Sequence, residues 1–168
     1  MEIQFDKGLL LFGGTYGNLQ ATEALFGEAE RLGFNSDRMV CTGDLAAYCA
    51  QPQETVDLVR HKDVATILGN CEENLAADAD DCGCGFEDGT ACDLMSQQWY
   101  TFCREKLSTE TKSWMGTLPR TLTAIIGNKR LRVVHGGLSV INEFIFPSCP
   151  NDHLNSAMNE AECDGILA

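Results

Sequence analysis

Basic residues are scarce in this chain. Lys and Arg number 12 against 25 Asp and Glu, giving a formal net charge of -13. Nucleic-acid backbones are held by clustered Lys and Arg, so this balance argues against a nucleic-acid partner. Long apolar runs are also missing, and none approaches the roughly 18 residues of a membrane-crossing helix. The opening MEIQFDK lacks the basic start of a secretory leader. A membrane partner is therefore not expected, and the reading is a soluble, cytoplasmic protein. No internal repeat is visible.

The chain has 168 residues, 44% of them hydrophobic. That is enough to bury most of its apolar surface in a single domain spanning 1–168, and it excludes disorder. Nine cysteines are present, an odd number. In a reducing compartment they read as buried thiols, ligands or reactive groups rather than disulfides. Cys82, Cys84 and Cys92 are grouped with the spacing C-x-C-x7-C, which is not a standard zinc pattern. They fall in an acidic, Gly-rich stretch at about 72–93 that reads as a solvated loop or short-helix insertion with unpaired thiols.

Short apolar runs alternate with helical patterns along the N-terminal half, the signature of an α/β fold with parallel or mixed sheets. Residues 8–13 read as a first strand. Asn18 caps a helix with Leu19, Thr22, Leu25, Ala29 and Leu32 on one stripe, ending at Gly33. RMVCTGD and VATILGN give further strands, with a helix opened by Pro52 between them. Helices follow at about 94–106 and 108–117. TLTAII and RLRVVH form a hairpin with Asn128 in the tight turn, and a helix at about 151–162 precedes a strand start in GILA.

Four of these strands end in glycine or polar signals: Gly13-Gly14, Gly43-Asp44, Gly69-Asn70 and His135-Gly136-Gly137. In α/β sheets ligands sit at such carboxyl ends. Asp, Asn and His together supply oxygen and imidazole donors suited to a first-row divalent ion. The glycines at 13 and 14 permit a close strand–helix turn. The amides of residues 14 to 18, at a helix start, form a candidate phosphate cradle through Gly14, Tyr16 and Asn18.

The blocks GNLQATEAL, TGDLAAYCAQPQETVDLVR, LGNCEENL and VVHGG resemble, in order and spacing, those of calcineurin-like metallophosphoesterases, in particular the small bacterial branch. The resemblance implies a sandwich of mixed β-sheets flanked by helices, two metal ions and hydrolysis of a phosphoester. The family's first block, D-x-H-G-N, reads Gly14-Thr15-Tyr16-Gly17-Asn18 here, so both ligands to the first metal are absent. The second block is intact, and Asp44 matches the bridging carboxylate. In the third, Gly69, Asn70 and Glu72 match, while Cys71 stands at the position of the catalytic histidine. His135 matches a second-metal ligand. The closing G-H-x-H block is not reached before Ala168, so the resemblance implies a truncated C-terminal part.

These matches imply a weakened site. Asp44, Asn70 and His135 remain as ligands for one divalent ion (Mn, Zn or Fe), weakly bound or absent. The expected ligand is a small phosphorylated molecule, acted on by a divergent phosphoesterase. A non-catalytic relative binding a phosphate-bearing ligand or a protein partner is the alternative. A third reading is a thiol or metal-binding protein centred on Cys71, Cys82, Cys84 and Cys92. The unfinished edge at GILA implies self-association as a homodimer.

Overall fold

The computed structural model describes residues 1–168 and contains two sheets. Strands β1 (Glu2–Phe5), β5 (Leu122–Ile126), β6 (Lys129–Val133) and β7 (Gly165–Leu167) form one sheet in the order β1-β5-β6-β7. Strands β2 (Leu10–Phe12), β3 (Met39–Cys41) and β4 (Ala65–Thr66) form the other, in sequence order and wholly parallel. In the first sheet β5 and β6 are the antiparallel hairpin, and β1 and β7 join it in parallel. This is the expected α/β sandwich flanked by helices, with one sheet mixed and the other wholly parallel. No helix is long and apolar enough to cross a membrane.

Strand β3 shows how the layers are specified. All three of its residues are buried, as expected for a central parallel strand covered on both faces. Side chains alternate across a strand. Val40 therefore joins Phe5, Ile67, Leu122, Ala124 and Val133 in the layer shared by the two sheets. Met39 and Cys41 point the other way, into a 19-residue cluster under the helices. The site described below lies at the carboxyl ends of β2, β3 and β4, where these layers end.

Helix α1 (Leu19–Arg31) is capped by Asn18, whose side-chain oxygen accepts the Ala21 amide hydrogen at 3.1 Å. The left-handed Gly33 lies just beyond it. The buried stripe is rotated from the expected one: Thr22, Phe26 and Ala29 are buried, and Leu32 is 52% exposed. Pro52 opens α2 (Pro52–His61). Helices α3 (Asn70–Ala76), α4 (Ala91–Lys106), α5 (Thr109–Met115) and α6 (Asn151–Ala161) complete the set.

Several expectations are corrected. A strand precedes the one anticipated at 8–13: the alternation of Ile3 and Phe5 with Glu2 and Gln4 forms β1, paired to β5. Strand β4 covers only Ala65–Thr66; the Ile67 amide still donates to the Cys41 carbonyl, and the Leu68 amide turns to the Pro119 carbonyl. In the hairpin turn the left-handed residue is Gly127, at φ +61°, and not Asn128. Glycine at the first turn position tolerates that conformation at no steric cost.

The acidic stretch is not a free excursion. Its first residues lie in α3, and Cys82 is buried in the main core. The Tyr100 hydroxyl donates to the Ala79 carbonyl, and Arg104 binds the Asp78 carboxylate at 2.8 Å. Cys82 and Cys84 are joined in a disulfide where unpaired thiols were expected. The left-handed Gly83 between them lets the two side chains turn to the same side.

Candidate metal and phosphate site

Four loops build the site, after β2, β3, β4 and β6, and main-chain hydrogen bonds tie the first two together. After β2, the amides of Gly14, Tyr16 and Gly17 donate to the carbonyls of Gly43, Asp44 and Leu45, at 3.0, 3.0 and 2.8 Å. Gly43, at φ +98°, lies so close to the third loop that a Cβ there would sit 2.5 Å from the Gly69 nitrogen. Only glycine serves at that crossing.

A buried carboxylate completes the joint. Glu72 is fully buried on α3. Its Oε2 accepts from the amides of Asp44 (2.7 Å) and Gly69 (3.1 Å), and its Oε1 accepts from Leu45 (2.8 Å). Burial, and after it the neighbouring Asp44 charge, pushes the Glu72 carboxyl up to about 7 against the pull of these amides. Glu72 thus locks the end of β3 to the start of α3 and sets the position of Asp44.

Asp44, Asn70 and His135 meet at one point. The His135 Nδ1 lies 2.7 Å from the Thr42 carbonyl oxygen. A carbonyl only accepts, so Nδ1 carries the hydrogen, and in the neutral ring Nε2 presents its lone pair. Nε2 faces Asn70 Oδ1 at 3.1 Å and Asp44 Oδ1 at 3.5 Å. The Asn70 amide cannot turn to donate there, because its Nδ2 hydrogens go to the Cys82 carbonyl at 2.8 Å. Three acceptor atoms therefore converge, His135 and Asn70 held from behind and Asp44 Oδ1 also accepting from the Cys71 amide at 3.4 Å. Such a cluster is reconciled by a proton on Nε2 or by a cation among the three. The donor set suits a first-row divalent ion, and the back-side bonds to His135 and Asn70 are the outer contacts that orient metal ligands. No three His, Cys, Asp or Glu side chains group as metal ligands anywhere in the chain, so the Asn70 amide is needed to make up the set.

At the first-metal position of the resemblance, neither Gly14 nor Tyr16 supplies a ligand. The Tyr16 ring folds back over Gly14 into the space a Cβ there would need. It also packs edge-on to Tyr48, with centroids 5.0 Å apart. Burial, and then the Asp44 charge, raises the Tyr16 phenol above its ordinary range, so it remains a neutral donor.

Cys71 is 1% exposed, in the main core, and lines no wall of the pocket. Burial, with Asp44 and Glu72 beside it, holds its thiol well above the ordinary value, which makes it unreactive. In the amide cradle expected at 14–18, the main-chain hydrogens of Gly14, Tyr16, Gly17 and Asn18 go to carbonyls, and the Asn18 Oδ1 accepts the helix-cap hydrogen from Ala21. The main-chain hydrogens of those residues are thus spent, while the Asn18 side-chain amide hydrogens and the Tyr16 hydroxyl remain as donors.

The pocket over Asp44, Asn70 and His135 encloses about 190 Å³. Its rim adds residues that the sequence reading missed, namely Tyr48, Phe86 and Glu143. Glu143 is paired with His153 at 3.0 Å. No Lys or Arg lines the pocket.

A sequence profile described as calcineurin-like phosphoesterase matches residues 9–162. Among solved structures, a hypothetical protein from Pyrococcus horikoshii OT3 is similar with a TM-score of 0.70 at 20% identity. That match covers 99% of this chain and 68% of the other. A metallophosphoesterase from Sphaerobacter thermophilus is similar with a TM-score of 0.59 at 21% identity, over 84% of this chain and 52% of that one. This chain thus matches about half the length of the second relative, and at such identities the likeness concerns the fold. No curated protein gives a significant match.

Proposed function

We propose, from the premise that the chain belongs to the calcineurin-like phosphoesterase family, that it is a divergent member holding one divalent ion. Asp44, Asn70 and His135 would hold that ion and a small phosphoester against it, with slow hydrolysis. The observation that carries this reading is the convergence of three lone-pair atoms, Nε2 of His135 and Oδ1 of Asn70 and Asp44, within 3.1 to 3.5 Å of Nε2. When bound, Mn, Zn or Fe would supply Lewis-acid polarisation of a phosphoryl oxygen. The chain's own residues do the positioning. Thr42 fixes the imidazole, Cys82 fixes the amide, and Glu72 fixes the backbone that carries Asp44.

Two features keep turnover low. Gly14 and Tyr16 leave the first metal position without ligands of its own. The position of the family's catalytic histidine is taken by Cys71, whose buried thiol lies behind the site, 3.8 Å from Asn70 Nδ2. Loss of a general acid typically lowers a rate by about 10² to 10⁴. The Tyr16 ring over Gly14 supports the second reading, a relative that binds a phosphate-bearing ligand or a protein partner without turning it over.

Calorimetric titration of chelator-stripped protein with Mn tests the reading. One weak site is expected, abolished by His135→Ala, with turnover of a generic phosphodiester near background. Two saturable sites in the unmodified protein would overturn it. Metal-dependent phosphate binding with no turnover at all would favour the second reading. Self-association also remains a proposal. Strand β7 forms an edge of its sheet, and such edges pair readily. Light scattering should then report a dimer, and a monomer at high concentration would count against it.

A further inference from the structure

Beside the polar pocket runs a larger groove of about 700 Å³. Tyr48, Phe86, Cys92, Met95, Trp99 and Phe102 line it, and Tyr48 and Phe86 also wall the polar pocket. The two hollows therefore share a partition of two aromatic rings. Tyr16, Tyr48 and Trp99 form a continuous row across it, with centroid separations of 5.0 and 4.8 Å. Met95 and Tyr48 are 67% and 52% exposed, an unusual amount of apolar surface to leave open beside a polar site. None of the ten lining residues carries a charge, and only Ser96 and Gln98 have polar side chains without an apolar body.

The charge distribution narrows the occupant. A neighbouring hollow presents Asp80, Asp81, Asp88 and Asp93, and no Lys or Arg lines any of the three hollows. A ligand with several phosphates would meet acids with no counter-charge. A ligand with one phosphate would place it at Asp44, Asn70 and His135, and an uncharged remainder would extend over Tyr48 into the groove. Four of the groove's lining residues, Tyr48, Phe86, Trp99 and Phe102, are ring systems, which favours a flat aromatic group over an alkyl chain.

We infer that the groove is the subsite for the aromatic part of a monophosphorylated ligand. This rests on the reading of the polar pocket as the phosphate site. The test uses non-hydrolysable probes: methylphosphonate, octylphosphonate and 1-naphthylmethylphosphonate. Their affinities are measured by calorimetry and by tryptophan fluorescence, with saturating Mn and with chelator. The naphthyl probe is expected to bind about 30-fold more tightly than methylphosphonate, for about 80 Å² of apolar surface removed from water. Met95→Asp should erase that gain, with unchanged Mn binding as the control for folding. A naphthyl probe no tighter than methylphosphonate, in protein that binds Mn and methylphosphonate, would overturn the subsite and leave the phosphate reading standing. An octyl gain equal to the naphthyl gain would overturn the aromatic assignment. Equal naphthyl binding with and without Mn, and no methylphosphonate binding, would sink the phosphate reading while supporting an aromatic site.

Discussion

Glu72→Ala should lower the melting temperature by about 6–12 °C, the largest fall expected from one side chain outside the apolar core. Three buried amides, those of Asp44, Leu45 and Gly69, donate to this carboxylate. Each orphaned buried donor costs roughly 1–3 kcal/mol. Even the low end gives about 3 kcal/mol, and for a chain of this size each kcal/mol moves the midpoint by about 2–4 °C. Glu72→Gln should cost about 1–3 kcal/mol. With its oxygen at the Oε2 position it keeps two donors and sets an amide group against the Leu45 hydrogen.

The pH dependence has a definite sign. The folded Glu72 carboxyl lies at about 7, above an ordinary value of 4.5, so between those values the folded protein binds more protons than the unfolded chain. Its contribution is most favourable below about pH 4.5 and declines as pH rises to about 7. In metal-free protein, the stability deficit of Glu72→Gln should therefore shrink across that window, as read by denaturant melts at several pH values. A deficit that grew with pH would contradict the assignment.

Gly14→Asp and Tyr16→His should each harm the protein alone and compensate each other together. Gly14 sits at φ +60° with the Tyr16 ring over it. An aspartate there meets left-handed backbone strain of about 1–3 kcal/mol and must also expel the ring. Tyr16→His alone removes the ring and leaves the space above Gly14 unfilled. With both changes the ring is gone and a carboxylate takes its place. A double-mutant cycle should show favourable coupling of at least about 1 kcal/mol, within the range for residues in contact. Only the double variant should take up a second equivalent of Mn in calorimetry. Additive effects and a single Mn would show that Tyr16 does not occupy the place of the missing ligand. Cys71→His is best left out of this rescue, because an imidazole at a site only 1% exposed would overpack the core.

The parts legible in the sequence were those governed by local chemistry. Asn18 and Pro52 announced the starts of α1 and α2, and glycine or a polar residue marked each strand end that carries the site. What stayed hidden depends on groups distant in the chain. Glu72 takes its role from amides 27 and 28 residues earlier. The groove pairs Tyr48 with Trp99, two residues from separate segments that no spacing rule connects. The fold of Tyr16 over Gly14 follows from a left-handed backbone at both residues, and neither composition nor periodicity reports that. Strand β1 was legible, since Ile3 and Phe5 alternate with polar residues, but four residues are a weak signal beside the longer run that follows.

The seam between the β2 and β3 loops has a practical meaning for protein engineering. Its bonds from Gly14 to Gly43, Tyr16 to Asp44 and Gly17 to Leu45 are all amide to carbonyl, and one side chain joins them, the Thr15 hydroxyl donating to the Leu45 carbonyl. The chassis is written in main chain and the chemistry in side chains mounted on it. Residues at positions 70 and 135 can thus be exchanged as cartridges while the loops keep their course. A library confined to those positions would sample new reactivity with little risk to the architecture, whereas one that included Gly43 or Glu72 would mostly sample unfolded protein.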